Sequence, residues 1–487
     1  MKKCFVLVGV AVALLLFSCS SSHSTNDTDI LPDSDEDTQD SETTEDDLDS
    51  EPDWDDEEPD ETNDEIFEET EPINGYARCY DKIPAGPYEG LFADPNLEYW
   101  IKQNLNYDED YELTEEDLKN ITDLAVYAHD LRGIEKLVNL EYLQIRVQIS
   151  DGNIYDFTPL SKLEKLKELK INASSMTCLD GSFSLLTALE TLEIEETKLT
   201  DVSPVEQLVN LKTLELHENH QIEFLPENLG NLQKLEYLAL SYNNIKNVKP
   251  VSSLTNLKKL YFHYNNVEDI SPIEGLVNLT EFGAQSNQIK DISAVTKLVN
   301  LTWLGLNQNK IERIPEDFVN LKKLQTCQLL YNNISNLPEL KGLDSLTEMA
   351  LSGNDLNDED LMKLDGLENV RFLYVALNKK ITKVPVMKNL KSLQELYLNY
   401  NSITDLSGFA DNESFPALKS VYLGSNKISD AEALRKRKGL NRLSIGKNCI
   451  TDLSPLEELE EKGTYISGMN DQLESCEDTT IILGEGE

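Results

Sequence analysis

Two short segments of the sequence carry residue types that bind metal ions. The segment His217–His220 has a histidine at each end, but its spacing differs from the helical His-Glu-x-x-His zinc motif. The segment Asp108–Glu112 has acidic residues at alternate positions, as a Ca²⁺ loop does, but it lacks the glycine required at the sixth position. Lys119 stands where such a loop needs a glutamate. We therefore expect neither segment to bind a metal ion.

Motifs for catalysis are absent from the sequence. It contains no Gly-x-Ser-x-Gly, no phosphate-binding loop and no Cys-x-x-Cys pair. The 487 residues are enough for several domains, yet every segment is assigned below to an acidic linker that tethers the chain, to a repeat or to a cap. A hidden catalytic domain has no place in the chain, so we predict that the protein is not an enzyme and needs no cofactor.

The chain is strongly acidic, with a net charge of −47 from 43 Lys and Arg residues and 90 Asp and Glu residues. A phosphate backbone is bound by clustered Lys and Arg, so this balance argues against nucleic acid as a partner. About half of the charge lies between His23 and Pro72, where there are 25 acidic residues and no Lys or Arg. Such a composition cannot bury enough apolar surface to offset chain entropy. We predict a disordered acidic linker over residues 20–72.

The pattern Leu-x-x-Leu-x-Leu-x-x-Asn-x-Ile recurs every 22–26 residues through most of the chain. It gives 15 units over residues 121–460, and the unit that begins at Leu257 is among the clearest. Side chains alternate across a strand, so Leu-x-Leu predicts a short strand with its leucines inward and the x positions outward. Strands that recur at this spacing are expected to stack into one parallel sheet.

An asparagine follows most of the predicted strands. Its side-chain amide can bond backbone groups at the turn that would otherwise be buried without partners. Asparagine side chains also serve as ligands, but we expect these to be structural. The series is Asn219, Asn243, Asn265, Asn287, Asn309, Asn332, Asn354, Asn378, Asn401, Asn426 and Asn448.

This repeat resembles the leucine-rich repeat, and the resemblance covers roughly residues 92–476. Return segments such as Asp269-Ile-Ser-Pro272 resemble the repeats of internalin-like bacterial proteins, whereas Leu225-Pro226 resembles a more widespread type. The resemblance implies a fold of the α/β class, a leucine-rich repeat solenoid of about 15 repeats. A parallel β-sheet would line its concave face, and short 3₁₀ turns or irregular segments would form its convex side.

A solenoid needs a cap at each end of its core. Residues 73–120 resemble the N-terminal flank of bacterial leucine-rich repeat proteins, and Leu97, Ile101 and Leu105 have the spacing of a helix that would cover the first strand. Residues 461–487 resemble a C-terminal flank, which implies an extra strand followed by a cysteine. We therefore predict a helical N-terminal cap and a C-terminal cap with one strand.

Residues 1–19 resemble a bacterial lipoprotein signal peptide. An apolar run ends at Phe17 and is too short to span a membrane comfortably. It continues into Ser18-Cys19, which resembles a lipobox and implies that Cys19 is lipidated. The alternative is an ordinary cleaved signal peptide in which Cys19 is incidental. The lipobox and the acidic linker resemble those of surface lipoproteins, which implies an exported chain, anchored to a bacterial outer membrane and exposed at the cell surface.

The other cysteines leave alternatives open. An exported chain can form disulfide bonds, and the positions of Cys449 and Cys476, and of Cys79 and Cys178, would let each bond pin a cap. Each pair is either such a bond or two free thiols. Cys327 occupies a core position of its strand and is expected to be a buried thiol.

The run Arg435–Lys438 is the only dense basic segment of the sequence. It lies on the return side of a repeat, where we expect a solvated turn. The alternative is a docking site for phosphate groups or for the acidic linker of the same chain.

From Leu235 onward, many aromatic residues occupy predicted outward positions of the strands. Tyr and Trp bury a large area with a polar tip, and they dominate binding hot spots. The preference of aromatic residues for strands explains part of this pattern, but not their placement on the open face. The predicted ligand-binding residues are Tyr237, Tyr242, Tyr261, His263, Tyr264, Trp303, Tyr331, Phe372, Tyr374, Tyr397, Tyr400 and Tyr422.

Two further features refine the predicted concave surface. Small residues are expected to leave a dip beside Trp303, and these are Gly283, Gly305 and Ala350. Acidic residues weight the N-terminal part of the face and would suit a partner with a basic edge, and these are Glu193, Glu195 and Glu215.

Taken together, these features predict a monomeric recognition or adhesion protein that binds a protein or glycan on its concave face. The competing interpretation is a structural scaffold or a role in envelope assembly. Surface exposure separates the two, because an adhesin has to face outward.

Overall fold

The computed structural model describes most of the chain: residues 67–69 and 82–84 as backbone, and residues 87–147, 154, 156–173 and 176–478. The predicted lipidation site Cys19 and the predicted disulfide partner Cys79 lie outside the described residues. Phe67–Glu69 (β1) pairs with Lys82–Pro84 (β2) in antiparallel orientation. The strand β1 overlaps the C-terminal end of the linker predicted over residues 20–72.

Sixteen short strands form one parallel sheet, in which each strand pairs with its neighbours in chain order. The first 15 of them correspond to the 15 predicted repeats, and the last is the extra strand predicted in the C-terminal cap. This confirms the leucine-rich repeat solenoid. The strands are β3 Asp123–Tyr127, β4 Tyr142–Val147, β5 Glu168–Ala173, β6 Thr191–Glu195, β7 Thr213–Glu215, β8 Tyr237–Ala239, β9 Lys259–Tyr261, β10 Glu281–Gly283, β11 Trp303–Gly305, β12 Thr326–Gln328, β13 Glu348–Ala350, β14 Phe372–Tyr374, β15 Glu395–Tyr397, β16 Ser420–Tyr422, β17 Arg442–Ser444 and β18 Tyr465–Ser467.

One continuous hydrophobic core runs along the array, between the sheet and the convex turns. The second residue of each strand points inward, as the Leu-x-Leu pattern predicts, and Leu214, Leu238 and Leu260 have 0% of their surface exposed. Burying one leucine contributes about 1.5–3 kcal/mol relative to leaving it exposed. Because each repeat contacts mainly the next one, this stabilisation accumulates along the array.

The predicted asparagine ladder has the expected structural role, and Asn265 shows how it works. Its Nδ2 donates to the carbonyl oxygens of Leu240 at 2.9 Å, of Phe262 at 3.1 Å and of His263 at 3.1 Å. Its Oδ1 accepts the backbone N–H of Ile245 at 2.9 Å. The side chain is 5% exposed, so these bonds satisfy backbone groups that water does not reach.

A second asparagine ladder, which was not predicted, runs along the N-terminal ends of the strands. The Nδ2 atoms of Asn210, Asn278 and Asn300 each donate to a carbonyl oxygen of the preceding repeat, at 2.8, 2.9 and 2.8 Å. The signal for it in the sequence is the recurring triplet Val-Asn-Leu, whose leucine opens the next repeat. The two ladders together provide side-chain hydrogen bonds to backbone groups at both ends of the strands.

The N-terminal cap is helical, as predicted. Pro95–Asn104 (α1) covers the first strand with Leu97 and Ile101, which are 0% exposed. The side chain of Asp94 caps this helix by accepting the backbone N–H of Asn96 at 2.8 Å. The core of the first repeats is therefore closed by apolar side chains.

The other described helices are short. Glu115–Leu118 (α2) begins with a capping box formed by Thr114 and Asp117. Asp358–Lys363 (α3) and Ser454–Glu461 (α4) interrupt a convex side that otherwise consists of 3₁₀ turns and irregular segments, as predicted. No helix in the described part of the chain is long and apolar enough to cross a membrane.

Cys449 and Cys476 are joined by a disulfide bond, with Cα atoms 5.3 Å apart, which links the last repeat to the C-terminal cap. Cys178 is also disulfide-bonded, and its partner lies outside the described residues. Peptide mapping without reductant is expected to recover Cys449 and Cys476 in one linked product. Cys327 is buried, as predicted, and burial raises the pKa of its thiol.

The basic run Arg435–Lys438 is not a solvated turn, so that prediction is wrong for its arginines. Arg435 forms an ion pair with Glu458. Arg437 is 4% exposed and donates to the carbonyl oxygen of Ser414 at 2.7 Å. The guanidinium carries several N–H donors in a fixed geometry, so it satisfies carbonyls that the turn leaves open. Both arginines are thus occupied within the fold, which also argues against a docking role.

Candidate functional site

The outward residues of the strands form what we call the floor of the concave face. In each three-residue strand, the first and third side chains point away from the core and lie in register with those of the next strand. This register brings most of the predicted floor aromatics into two clusters. The first contains Tyr237, Tyr261, His263 and Trp303, and the second contains Tyr374, Tyr397 and Tyr422.

The first cluster packs around Tyr261. Its ring centroid lies 5.8 Å from that of Tyr237, 5.7 Å from that of His263 and 6.2 Å from that of Trp303. The Tyr261 hydroxyl donates to the carboxylate of Glu281. Tyr261 and His263 are each only 7% exposed. Of this cluster, Tyr237 and Trp303 therefore offer most of the surface that a ligand would meet.

The predicted dip beside Trp303 is filled by side chains. A Cβ atom at Gly283 would lie 2.3 Å from Cε1 of His263, and one at Gly305 would lie 2.3 Å from Cη2 of Trp303. Ala350 is 0% exposed. The prediction of a dip is wrong because large rings reach neighbouring positions and occupy the space that small residues leave.

Gly283→Ala is expected to lower the free energy of unfolding by about 1–3 kcal/mol, because the added methyl group must displace the rings of His263 and Tyr261. Urea denaturation followed by tryptophan fluorescence measures the loss. Gly275→Ala in the preceding repeat is the control, since a Cβ there meets no atom within 4 Å. It is expected to be neutral or slightly stabilising. An equal loss from both variants would contradict the ring packing over Gly283.

The second cluster is a stack of three tyrosines. The ring centroids of Tyr374 and Tyr397 are 4.5 Å apart, and those of Tyr397 and Tyr422 are 4.3 Å apart with an angle of 4° between the rings. The Tyr397 hydroxyl donates to Glu395 at 2.6 Å. Burial raises the pKa of Tyr397 and raises that of Tyr374 to about 12, so both hydroxyls stay protonated at physiological pH. The stack is thus an ordered aromatic ridge with hydroxyl tips.

Glu348 lies in the strand beside this stack, in register with Phe372. Its Oε1 atom is buried and has no hydrogen-bond partner among the described residues. Burial raises the pKa of this carboxyl. The second cluster therefore combines aromatic surface with hydrogen-bonding groups, which suits binding and gives no arrangement of nucleophile and base.

The acidic residues of the N-terminal part of the floor are largely paired within the protein. Glu193 forms an ion pair with Lys170 at 2.7 Å, and Glu195 forms one with His217 at 2.8 Å. The contact with His217 lowers the pKa of Glu195, and Glu195 in turn raises the pKa of His217. The predicted attraction for a basic partner edge is weakened accordingly. In the described part of the chain, no group of three or more potential metal ligands is found around His217 and His220 or elsewhere.

Four of the predicted floor tyrosines do not lie on strands. Tyr242, Tyr264, Tyr331 and Tyr400 occupy the turn that follows the strand, each directly before a ladder asparagine, with φ of 57°, 53°, 54° and 59°. We call this row of turn positions the rim. The prediction is wrong here because the alternation of a strand ends with its third residue, and the chain then enters a left-handed turn.

A row of side chains between floor and rim continues the hydrogen bonding of the sheet. His263 Nδ1 accepts the backbone N–H of Gln285 at 3.1 Å, and Asn307 Oδ1 accepts that of Leu330 at 2.8 Å. Ser352 Oγ likewise accepts the backbone N–H of Ala376 at 3.0 Å. His263 is therefore a structural residue rather than an exposed ligand contact. The sequence feature that could have predicted this row is the polar residue found two positions after the strand in several repeats.

Sequence families match the central and C-terminal repeats. The family described as Leucine Rich repeats (2 copies) matches residues 233–275, 255–297 and 391–436. The family described as Leucine rich repeat matches residues 299–356. No curated protein matches the sequence. The matched ranges include the first aromatic cluster and, of the second cluster, Tyr397 and Tyr422.

Solved bacterial structures show the same fold. The chain is similar to an internalin (inlF) from Listeria monocytogenes, with 27% identity and a TM-score of 0.52 over 77% of this chain and 95% of that one. A leucine-rich repeat protein from Leptospira interrogans is 24% identical, with a TM-score of 0.59 over 73% and 99%. The functional domain of InlJ from Listeria monocytogenes is 21% identical, with a TM-score of 0.52 over 78% and 81%. The chain thus has leucine-rich repeats and is structurally similar to bacterial internalin-like proteins.

Proposed function

We propose that this protein recognises a protein or glycan ligand on the aromatic floor of its concave face, without catalysis. The observation that carries the proposal is the ordered stack of Tyr374, Tyr397 and Tyr422, held in register on a rigid parallel sheet. Half-buried tyrosines of this kind bind with little loss of conformational freedom, and they are enriched in hot spots. The concave surface of a repeat array is extended enough to take a macromolecule.

The test compares capture by the full natural chain with capture by a floor variant. The floor variant carries Trp303→Ser, Tyr374→Ser and Tyr397→Ser. We expect the natural chain to capture a partner from extracts of envelope, matrix or neighbouring cells, and the floor variant to lose it. Hot-spot aromatics each contribute about 2 kcal/mol or more, so the three changes together abolish detectable capture.

A matched control changes exposed apolar residues away from the floor. Phe224 and Met362 are 73% and 53% exposed, and the control variant carries Phe224→Ser and Met362→Ser. It is expected to capture the partner as the natural chain does, and circular dichroism verifies that all three proteins are folded. Equal capture by the floor variant contradicts the proposal. No capture by any of them favours the alternative role as a scaffold or envelope-assembly protein.

The proposed place of action is the bacterial surface, with a lipid on Cys19 as the anchor. The lipobox-like end of residues 1–19 supports this placement, as does the long acidic segment that follows it. Labelled palmitate is expected to enter the natural chain and not a Cys19→Ala variant. Protease added to intact cells is expected to release the array. Protection of the array from the protease would place it inside the envelope and remove the adhesin role.

A further inference from the structure

A strip without charged side chains runs along one edge of the concave face. It comprises the second and third residues after each of the nine strands β8–β16, from Ser241–Tyr242 to Gly424–Ser425. The chain as a whole has 27% charged residues, and charges return at both ends of the strip, at Glu218 and at Lys447. The strip follows the rim and consists of tyrosines, amides, hydroxyls and small residues, together with Leu330, Leu377 and the buried His263.

Local stability does not account for the tyrosines of this strip. The rim positions have left-handed backbone angles, which disfavour bulky side chains and favour glycine, as at Gly353 with φ of 70°. Tyrosine nevertheless occupies four of the nine rim positions. Tyr242 and Tyr331 keep 41% and 44% of their surface exposed, so burial in the fold offsets only part of the cost of these positions. Aromatic residues at strained and exposed positions point to a ligand.

The rings of the strip are arranged along the axis of the array. Tyr242 and Tyr264 are stacked, with centroids 4.4 Å apart and 10° between the rings, so their faces look along the row of repeats. The next two rim positions are polar, and Ser286 Oγ donates to Gln308 Oε1 at 2.5 Å. Tyr331 follows, and its ring lies across the next rim position. The rings of Tyr264 and Tyr331 therefore stand on either side of a hydroxyl and an amide, three strand spacings apart, or roughly 14 Å.

We infer that this strip binds a neutral polysaccharide that lies along the array. The inference goes beyond the proposed function, because it assigns a second binding surface beside the floor and names its class of ligand. A sugar ring offers an apolar C–H face that packs on an aromatic ring, and hydroxyls that pair with amides and hydroxyls. Asn399 Oδ1, a buried acceptor without a hydrogen-bond partner among the described residues, lies in the same strip.

The absence of charge selects among possible ligands. A polyanion requires lysine or arginine, and a polycation requires carboxylates, and the strip has neither. Protein ligands concentrate their binding energy in a central, desolvated patch. The rim tyrosines are instead spread singly or in pairs over eight repeats, which suits a polymer whose units recur. A neutral glycan is the ligand that fits both observations.

Affinity electrophoresis of the full chain tests the inference. Native gels contain laminarin, hydroxyethyl cellulose, galactomannan or dextran as neutral probes, and alginate as an anionic one. The rim variant carries Tyr242→Ser, Tyr264→Ser, Tyr331→Ser and Tyr400→Ser. We expect at least one neutral probe to retard the natural chain and the Phe224→Ser, Met362→Ser control variant equally, and to bind the rim variant at least about tenfold more weakly. A second rim variant with phenylalanine at the same positions keeps the ring faces and is expected to keep most of the binding.

The outcomes separate this inference from the proposed recognition on the floor. Retardation by none of the neutral probes overturns the inference, as does stronger retardation by alginate. Equal retardation of the serine variant overturns it as well, because the tyrosines would then be irrelevant. Partner capture that depends on the floor, without polysaccharide binding, upholds recognition and rejects the glycan. Polysaccharide binding that is lost in the rim variant alone upholds the glycan, even if the floor variant captures every partner normally.

Discussion

Asn332→Asp is expected to lower the free energy of unfolding by about 3–5 kcal/mol. Asn332 is 6% exposed, and its Nδ2 donates to the carbonyl oxygens of Leu306, Leu329 and Leu330 at 3.0, 3.2 and 3.3 Å. Its Oδ1 accepts the N–H of Ile311 at 3.1 Å. A carboxylate has no N–H, so it leaves these carbonyls without a donor and places a negative charge against them. One substitution thus removes hydrogen bonds from a buried turn and also adds an unfavourable charge to it.

Asn333→Asp is the matched control, because Asn333 is the next residue and is exposed. It introduces the same charge at the same point of the array, and its effect is expected to stay within about 0.5 kcal/mol. Urea denaturation of both variants at pH 7 measures the difference. The deficit of Asn332→Asp is expected to shrink at low pH, since protonation of the buried carboxylate removes the charge and restores one donor. Similar losses from both variants would mean that the ladder is not a source of stability.

The ladder could be predicted because the evidence for it is repeated. Each unit carries the same leucines and the same asparagine, so the alternation within one repeat is checked by all the others. Leu238 and Leu260 therefore lie where the pattern places them, with 0% exposed. The strand, the core and the turn of a repeat depend on its local sequence and on the equivalent residues of the next repeat. That is why the sheet was predictable from residue types, whereas the N-terminal cap was predicted from the helical spacing of Leu97, Ile101 and Leu105 and from a resemblance to known flanks.

The candidate site was harder to predict, because it depends on how far side chains reach. The alternation of a strand says that Gly283 and Gly305 are small and outward, but not that His263 and Trp303 lie across them. It also cannot show that Tyr242 leaves the strand for a left-handed turn. Such details arise from packing between unlike residues of neighbouring repeats. The repeated pattern carries no information about them, since these are the positions at which the repeats differ.

The pH dependence of stability should reveal the burial of His263. Burial lowers its pKa from the ordinary 6.5 to about 4. As the pH falls, the unfolded chain takes up this proton first, so the contribution of His263 is complete above pH 6.5 and is lost between pH 6.5 and about 4. The shift corresponds to a loss of about 3 kcal/mol at pH 4 and below. Stability of the natural chain is therefore expected to fall by this amount relative to a variant without the imidazole.

His263→Asn is the suitable variant, because the chain itself uses asparagine in the equivalent place. Asn307 Oδ1 accepts a backbone N–H at 2.8 Å where His263 Nδ1 accepts one at 3.1 Å. The variant thus keeps the acceptor and removes the titration. Lost ring packing lowers its stability by a constant amount, so the quantity to measure is how the difference from the natural chain changes between pH 7 and pH 4. Urea denaturation at several pH values gives that change.

His217→Gln supplies a control of opposite sign. The contact with Glu195 raises the pKa of His217, so its contribution is present below pH 6.5 and is lost as the pH rises through the folded-state pKa. The natural chain should therefore gain over His217→Gln as the pH falls, while it loses over His263→Asn. A constant difference for His263→Asn would mean that the imidazole is already solvated in the folded state. In that case the first aromatic cluster is accessible to water, and His263 is again a candidate ligand contact.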